Sequence, residues 1–583
     1  MENVEIAAVL EEVATLLEIK GANPFRIRAY QNAARSVEEH STPLKKMVED
    51  GAALTELPGI GKEIAAHITE LVLEGRLTVL DELTAEIPSS LVELTRLPGV
   101  GAKKAKKLWE ALGVETIEDL KTAAQAGKVA ELDGFGEKSQ QKILKGIEAY
   151  RRRQGRFKIA DAEQHVEPLV AYLRQHRAVQ RLEVAGSYRR RRETVGDIDL
   201  LAITTDPGPV MQRFTTYPEV RKVELAGDTK GTVVLRSGLQ IDLRLLPPES
   251  CGAALQYFTG SKEHNVRLRK RAVTRGLRVS EYGVFQVTED EAESADPFAG
   301  TMVAGREEAD VYATLDLAWI PPELREDRGE IAAAERDALP DLITLDDLRG
   351  DLQMHSTWSD GRNSIEDMLD ACVARGYDYF AITDHSKALA MTGGLDAQKL
   401  AAQWEEIDQI AARRSEIRVL KGMEVDILRD GRLDLEDEFL ERLDVVLVSV
   451  HSLLDLPPAK QTARILAAIR HPEVNILAHP TGRQINRRDP MQFDLDEVLQ
   501  CAAEHDVIVE LNAHPDRLDL KDSHLIRAKE LGLRVVISTD AHRIGDLDLM
   551  RYGVDQARRA WLTTGDVVNT FPLKRLLETL QKR

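Results

Sequence analysis

Cysteine is nearly absent. The 583-residue chain has three, Cys251, Cys372 and Cys501, far apart and odd in number. This excludes a disulfide framework and matches a protein kept in a reducing compartment. Aromatic residues make up only 5% of the chain. No apolar run approaches the length of a bilayer span, and Met1-Glu2-Asn3-Val4-Glu5 is not a secretory signal, so the cytoplasm is the expected location. An excess of positive charge is also missing, since the formal net charge is −20. The basic residues are nevertheless clustered. Lys103, Lys104, Lys106 and Lys107 group together, as do Arg151–Arg153 with Arg156, and Arg189–Arg192. Between Lys262 and Arg278 seven Lys/Arg stand against one acid, Glu263. Local fields of this kind attract phosphate whatever the mean charge. The chain is too long for one core, and roughly three to five domains are expected.

What is present is a set of three acids. Arg181–Ala185 reads as a short strand, Gly186-Ser187 as a turn, and residues 196–203 as a second strand. Alternate side chains of a strand share a face, so Asp197 and Asp199 point one way while Ile198 and Leu200 enter the core. Thr232–Leu235 and Gln240–Leu245 read as a hairpin turning at Ser237-Gly238, with Asp242 and Arg244 projecting together. Three converging carboxylates repel one another unless positive charge sits between them, and two divalent metals with a triphosphate meet that need. Arg190 is the candidate clamp on the triphosphate, because guanidinium matches phosphate geometry.

The first 150 residues carry an approximate repeat: Leu57-Pro58-Gly59-Ile60-Gly61-Lys62, Leu97-Pro98-Gly99-Val100-Gly101-Ala102-Lys103, and Leu132-Asp133-Gly134-Phe135-Gly136-Glu137-Lys138. Paired glycines permit a tight turn and close approach of another chain. The helix that follows opens with free N–H groups that suit phosphate oxygens. Each copy resembles a helix-hairpin-helix DNA-backbone motif. That implies contacts from Gly59, Gly61, Lys62, Gly99, Gly101, Lys103, Lys104, Gly134 and Gly136 that hold DNA without reading its sequence.

With these motifs in place, residues 1–335 resemble a family X DNA polymerase. Tyr257-Phe258-Thr259-Gly260-Ser261 is a further mark of the family. The resemblance implies Gly186, Ser187, Arg190 and Gly196 at the triphosphate, and Asp197, Asp199 and Asp242 at Mg²⁺ or Mn²⁺. Asp242 would lie nearest the primer 3′-hydroxyl. It implies Tyr257 and Phe258 at the sugar of the incoming nucleotide, with Gly260, Ser261 and Arg244 also in that site, and Asn265 at the base. Lys262 stands where the polymerase beta branch has an acid; a nucleotide contact and a solvated side chain are both open. Arg26 and Tyr30 resemble a pocket for a 5′-phosphate at a gap. His67 occupies the position of the family's Schiff-base lysine and has no amine for that chemistry, which leaves lyase activity open, with Lys62 nearby.

After Trp319-Ile320-Pro321-Pro322 the chain becomes charged and alanine-rich, which reads as an interdomain linker. Seven short apolar runs then alternate with helical patterns, as in a parallel barrel whose strand ends carry the chemistry. His355, His385, His451, His479 and His542 stand at or just beyond such ends, with Asp360, Glu424 and Asp540. Imidazole and carboxylate together suit Zn²⁺, Mn²⁺ or Fe²⁺. The pattern resembles the PHP phosphoesterase family. By that resemblance Glu424 bridges two ions, His355 and Asp540 complete one site, His451 and His479 the second, and Asp360, His385 and His542 form a third. The family's opening His-x-His is here Gln353-Met354-His355, and an amide oxygen is a weaker ligand than imidazole. His514 either lines the pocket or belongs to a solvated loop. His40, His165, His176, His264, His471, His505 and His524 lie elsewhere and receive no metal role.

The expected architecture is multidomain. A helical DNA-binding part covers residues 1–80 and 81–150, an α+β nucleotidyltransferase palm 151–248, and a nascent-base-pair subdomain 249–320. A linker follows at 321–345 and a distorted (β/α)₇ barrel at 346–583. The expected function is a monomeric DNA polymerase filling short gaps from dNTPs on gapped or primer-template DNA, with a 3′–5′ exonuclease in the barrel and a location at the nucleoid through DNA. The alternatives are an end-processing phosphatase or abasic-site endonuclease, or a DNA-end scaffold with decayed sites. The complete acid trio and the barrel ligands argue against the scaffold.

Overall fold

The computed structural model describes residues 3–38, 44–49, 51–57, 59–95, 97, 99–153, 155–292, 294, 296, 298–389 and 392–581. Pro58 and Pro98 of the hairpin motifs, and His40, lie outside them. The chain divides into two compact units, residues 1–154 and 155–583.

Among its described residues the first unit has helices and no strands, among them Asn3–Lys20, Pro24–Glu38, Lys62–Glu74, Ala102–Leu112, Ile117–Gln125 and Glu137–Arg153. Thr116 and Asp119 form a capping box that starts one of them. A single apolar cluster runs from Ile6 to Ile147, so the expected break near residue 80 does not divide the core. At the three hairpins Gly59, Gly99 and Gly134 have φ of 76°, 87° and 81°, a region that side chains with a Cβ rarely enter.

The second unit begins with a five-stranded sheet. Its order is Arg181–Val184, Asp197–Ile203, Gln240–Leu246, Lys230–Leu235, Val220–Ala226, and only the second and third strands run parallel. Ile198, Leu200, Ile241 and Leu243 are fully buried on one face, which leaves the acids on the other. Two helices, Cys251–Thr259 and Lys262–Val273, lead into a three-stranded antiparallel sheet.

The expected linker at 321–345 is not a free tether. Leu324, Ala334 and Leu342 share a core with Ala253, Leu268 and Tyr312, while Ile343 belongs to the barrel core. Several of its charges are paired: Glu323 with Arg558, Arg325 with Glu308, Glu326 with Arg190 and Arg328 with Asp522, while Glu330 is hydrogen-bonded to His264. These charges, which read as a linker from composition, find partners distant in the sequence.

The last part is a seven-stranded parallel sheet in sequence order, from Gly350–Asp351 to Val535–Ser538. A bridge between Met354 and Ala541, with the His355 amide donating to the Ala541 carbonyl at 2.8 Å, draws the two edges together. The result is the expected distorted (β/α)₇ barrel. Ile485, Leu518 and Tyr552 of this part share a core with the palm, so barrel and palm are packed together.

Candidate active sites

In the helical unit the hairpins keep an open face. A Cβ placed on Gly61, Gly101 or Gly136 would meet nothing within 4 Å, so another backbone can approach closely there. Lys62 and Lys103 are exposed, whereas Lys104 Nζ donates to the Gly99 carbonyl of its own hairpin at 3.0 Å. Arg26 is exposed and pairs with Glu63 at 3.1 Å. Tyr30 is 1% exposed, and its hydroxyl lies 2.8 Å from His67 Nδ1. The histidine at the lysine position thus partners the phenol.

In the palm, Asp199 faces Asp242 across the parallel strand pair, and Asp197 lies two residues earlier on the same face. Burial and then the charges of Asp197 and Asp242 push the Asp199 carboxyl up to about 7. Gly186 has φ 63°, and a Cβ there would lie 2.5 Å from Asp199 Oδ2, so only glycine lets the turn sit against the acids. Gly186 and Ser187 open the short helix Gly186–Arg189 rather than a plain turn. Gly196 sits 3.5 Å (from its would-be Cβ) from Arg156 Nη1, a residue that sequence reasoning did not place here.

The adjacent arginines diverge. Arg189 grips Glu308 with two bonds of 2.8 and 2.9 Å. Arg190 donates to the Thr259 carbonyl and, at 3.1 Å, to Glu326. Gly260 lies against the Arg190 guanidinium. The Arg244 guanidinium stands 5.0 Å over the Phe258 ring, and Tyr257 and Phe258 meet edge to face at 5.2 Å. Ser261 caps the next helix through the His264 amide, and Lys262 is exposed. Asn265 is held by two 2.7 Å bonds, from Gln256 and to the Tyr257 carbonyl, which fixes its amide orientation. His264 is a core residue, wholly buried between Glu330 and Tyr312.

In the barrel the eight expected ligands converge. His355, Glu424 and Asp540 form one group able to hold an ion; His385, Glu424 and His451 form another; and His355, Asp360, His385 and His542 form a third. His479 Nε2 lies 2.9 Å from Glu424 Oε1. The first group matches the expected division. In the others His385 stands with Glu424 and His451, and His355 joins Asp360 and His542, so the sites share ligands more than the resemblance implied. Burial opposes ionisation of Glu424, but its histidine neighbours, His385 and His451 and then the hydrogen bond from His479, hold its carboxyl well below the usual range. Burial likewise opposes ionisation of Asp360, and the His542 hydrogen bond brings it to about 2. The ligand set fits divalent ions: His355 Nδ1, His385 Nδ1 and Glu424 Oε2 are buried with no hydrogen-bond partner.

Gln353 is buried with neither amide atom bonded. Glu510, fully buried with Oε1 unpartnered, was not singled out from sequence, although an acid inside an apolar strand was the available signal. Asp384 fixes the loop below His355 through Ser356, Ser359 and Gln403. His514 is half-buried and its backbone amide bonds to Asn512.

Family models match along the chain: a helix-hairpin-helix domain at 1–77, a SAM-like helix-hairpin-helix tandem at 91–149, a DNA polymerase beta thumb at 254–326 and a PHP domain at 351–514. The DNA polymerase/3′-5′ exonuclease PolX of Bacillus subtilis (strain 168) is 40% identical over 576 residues, 98% of each chain. This chain belongs to the PolX family. DNA polymerase lambda of Rattus norvegicus is 26% identical over 345 residues, 56% of each chain. A probable phosphatase of Thermoanaerobacter sp. (strain X514) is 32% identical over 164 residues, 26% of this chain and 64% of that relative. The PolX architecture thus joins a polymerase beta-like core to a PHP barrel, each with a cluster suited to divalent metal. Among the described residues, no helix is long and apolar enough to cross a membrane.

Proposed function

We propose that the protein fills short DNA gaps during repair, adding deoxynucleotides to a primer 3′ end at Asp197, Asp199 and Asp242, and removes 3′-terminal nucleotides at the barrel cluster. The observation that carries the first half is the Asp199–Asp242 pairing beside the Gly186 turn. Divalent ions held by these acids supply charge neutralisation to the phosphoryl groups. Oxygen donors suit Mg²⁺ or Mn²⁺ in the palm, and the mixed imidazole and carboxylate set suits Zn²⁺, Mn²⁺ or Fe²⁺ in the barrel.

The remaining work is positioning and charge. Arg190 and Arg244 orient the triphosphate, and Ser187 donates to it. Tyr257 and Phe258 fill the space a 2′-hydroxyl would take. Asn265, its amide already oriented, meets the base edge. Asp242 stands nearest the primer hydroxyl. The hairpin glycines and Lys62 and Lys103 hold the DNA backbone. In the barrel, His355, Asp360, His385, Glu424, His451, His479, Asp540 and His542 would hold divalent ions, which would supply charge neutralisation to a phosphodiester. The protein acts as a monomer in the cytoplasm, on nucleoid DNA.

A labelled one-nucleotide-gap substrate, with and without dNTP and with Mg²⁺ or Mn²⁺, tests this reading. Extension with dNTP and shortening without it are expected. Loss of only a terminal phosphate, or a gel shift with no product, would overturn it.

A further inference from the structure

The palm's nucleotide clamp is gripped from the barrel. Arg559 ends the barrel helix Met550–Arg559, and its side chain is 2% exposed. Its Nη1 donates to the Arg190 carbonyl at 2.6 Å and to Glu326 Oε1 at 3.1 Å, and its Nη2 donates to Asp522 Oδ2 at 2.7 Å. Glu326 Oε1 is the same oxygen that accepts from Arg190 Nε, while Glu326 Oε2 faces Arg192 at 3.4 Å. Arg328 joins Asp522 at 3.0 Å. Four guanidinium groups therefore surround two carboxylates, and the surplus is positive. One carboxylate holds the clamp, and a residue more than 360 positions away in sequence holds both that carboxylate and the clamp's own backbone.

We infer that Arg559 is a positioning residue for the incoming triphosphate, so that the barrel completes the palm's nucleotide site. This rests on the polymerase reading above. A triphosphate competes with Glu326 for the Arg190 guanidinium. Arg559 stabilises the carboxylate that is left and pins the Arg190 carbonyl, so the side chain can turn to phosphate without its backbone moving. A guanidinium is needed because one planar fork serves three acceptors at once.

The test is single-nucleotide gap filling by the full chain, with KM for dNTP and kcat measured separately, and 3′ digestion followed on the same preparations. Arg559→Ala is expected to raise the dNTP KM about tenfold with kcat within about twofold, the pattern of binding lost equally in ground and transition states. Its 3′ digestion should match the wild type. Arg551→Ala removes another contact at the same interface, to Glu163, and is expected to leave KM unchanged. Should Arg559→Ala not fold, Arg559→Lys keeps the charge but loses the fork, and is expected to raise KM about threefold. An unchanged KM in the folded Arg559 variant overturns the inference, as does an equal KM rise in Arg551→Ala. A wild type that extends no primer would instead overturn the polymerase reading itself.

Discussion

Asp199 and Asp242 face each other across the two parallel strands of the palm, with the Asp199 carboxyl pushed up to about 7 by burial and by its acidic neighbours. A carboxyl raised in the folded state stabilises the fold while it is protonated. That contribution is complete below the unfolded value near 3.8 and is lost as pH rises through about 7. In chelator at pH 8 the three acids therefore strain the palm, and Asp199→Asn is expected to raise Tm by about 2–4 °C. Added Mg²⁺ should raise the wild-type Tm at pH 8, with a much smaller effect in the variant, and both differences should fade at pH 5. Calorimetry showing no difference between the proteins at pH 8 would refute this account of the acids.

Glu308 accepts from Arg189, Arg325 and Trp319 in a buried position. Burial opposes its ionisation, but the two arginines bring its carboxyl to about 2. A depressed carboxyl stabilises the fold above its unfolded value and loses that effect as pH falls toward 2, a contribution on the order of 3 kcal/mol at neutral pH. Glu308→Gln should lower the urea midpoint at pH 7 and lessen its fall between pH 5 and 3. Tryptophan fluorescence measures both, and an unchanged midpoint would show that the cluster adds nothing.

Gln353, two residues before the ligand His355, has a buried amide with no hydrogen bond. Gln353→His should restore an imidazole and tighten retention of the barrel's divalent ions about tenfold. Elemental analysis after dialysis against graded chelator reads this directly. Equal metal content in the two proteins would place residue 353 outside the ligand set.

Much of the site was legible because its signals are local. Alternation along Asp197–Ile203 and Gln240–Leu246 set the acids on one face without any knowledge of pairing, and histidines at the ends of apolar runs marked the barrel cluster. What stayed hidden depends on partners far along the chain. Arg189 and Arg190 are neighbours of the same type and both reach Thr259, one at its hydroxyl and the other at its carbonyl, yet Arg189 pairs with Glu308 and Arg190 with Glu326. Residues 321–345 read as an interdomain linker because they are charged and alanine-rich, and nothing local shows that Arg190, Asp522 and Arg558 lie within reach. Nothing local in the sequence shows that His67 meets the Tyr30 hydroxyl.

The account's central claim is that synthesis and removal belong to two separate clusters, one around Asp242 and one around Glu424. The most direct test is a pair of variants on a labelled gapped duplex, assayed with and without dNTP. Asp242→Ala should lose extension and keep 3′ shortening, and Glu424→Ala should lose shortening and keep extension. Loss of both activities together in either folded variant would contradict the claim.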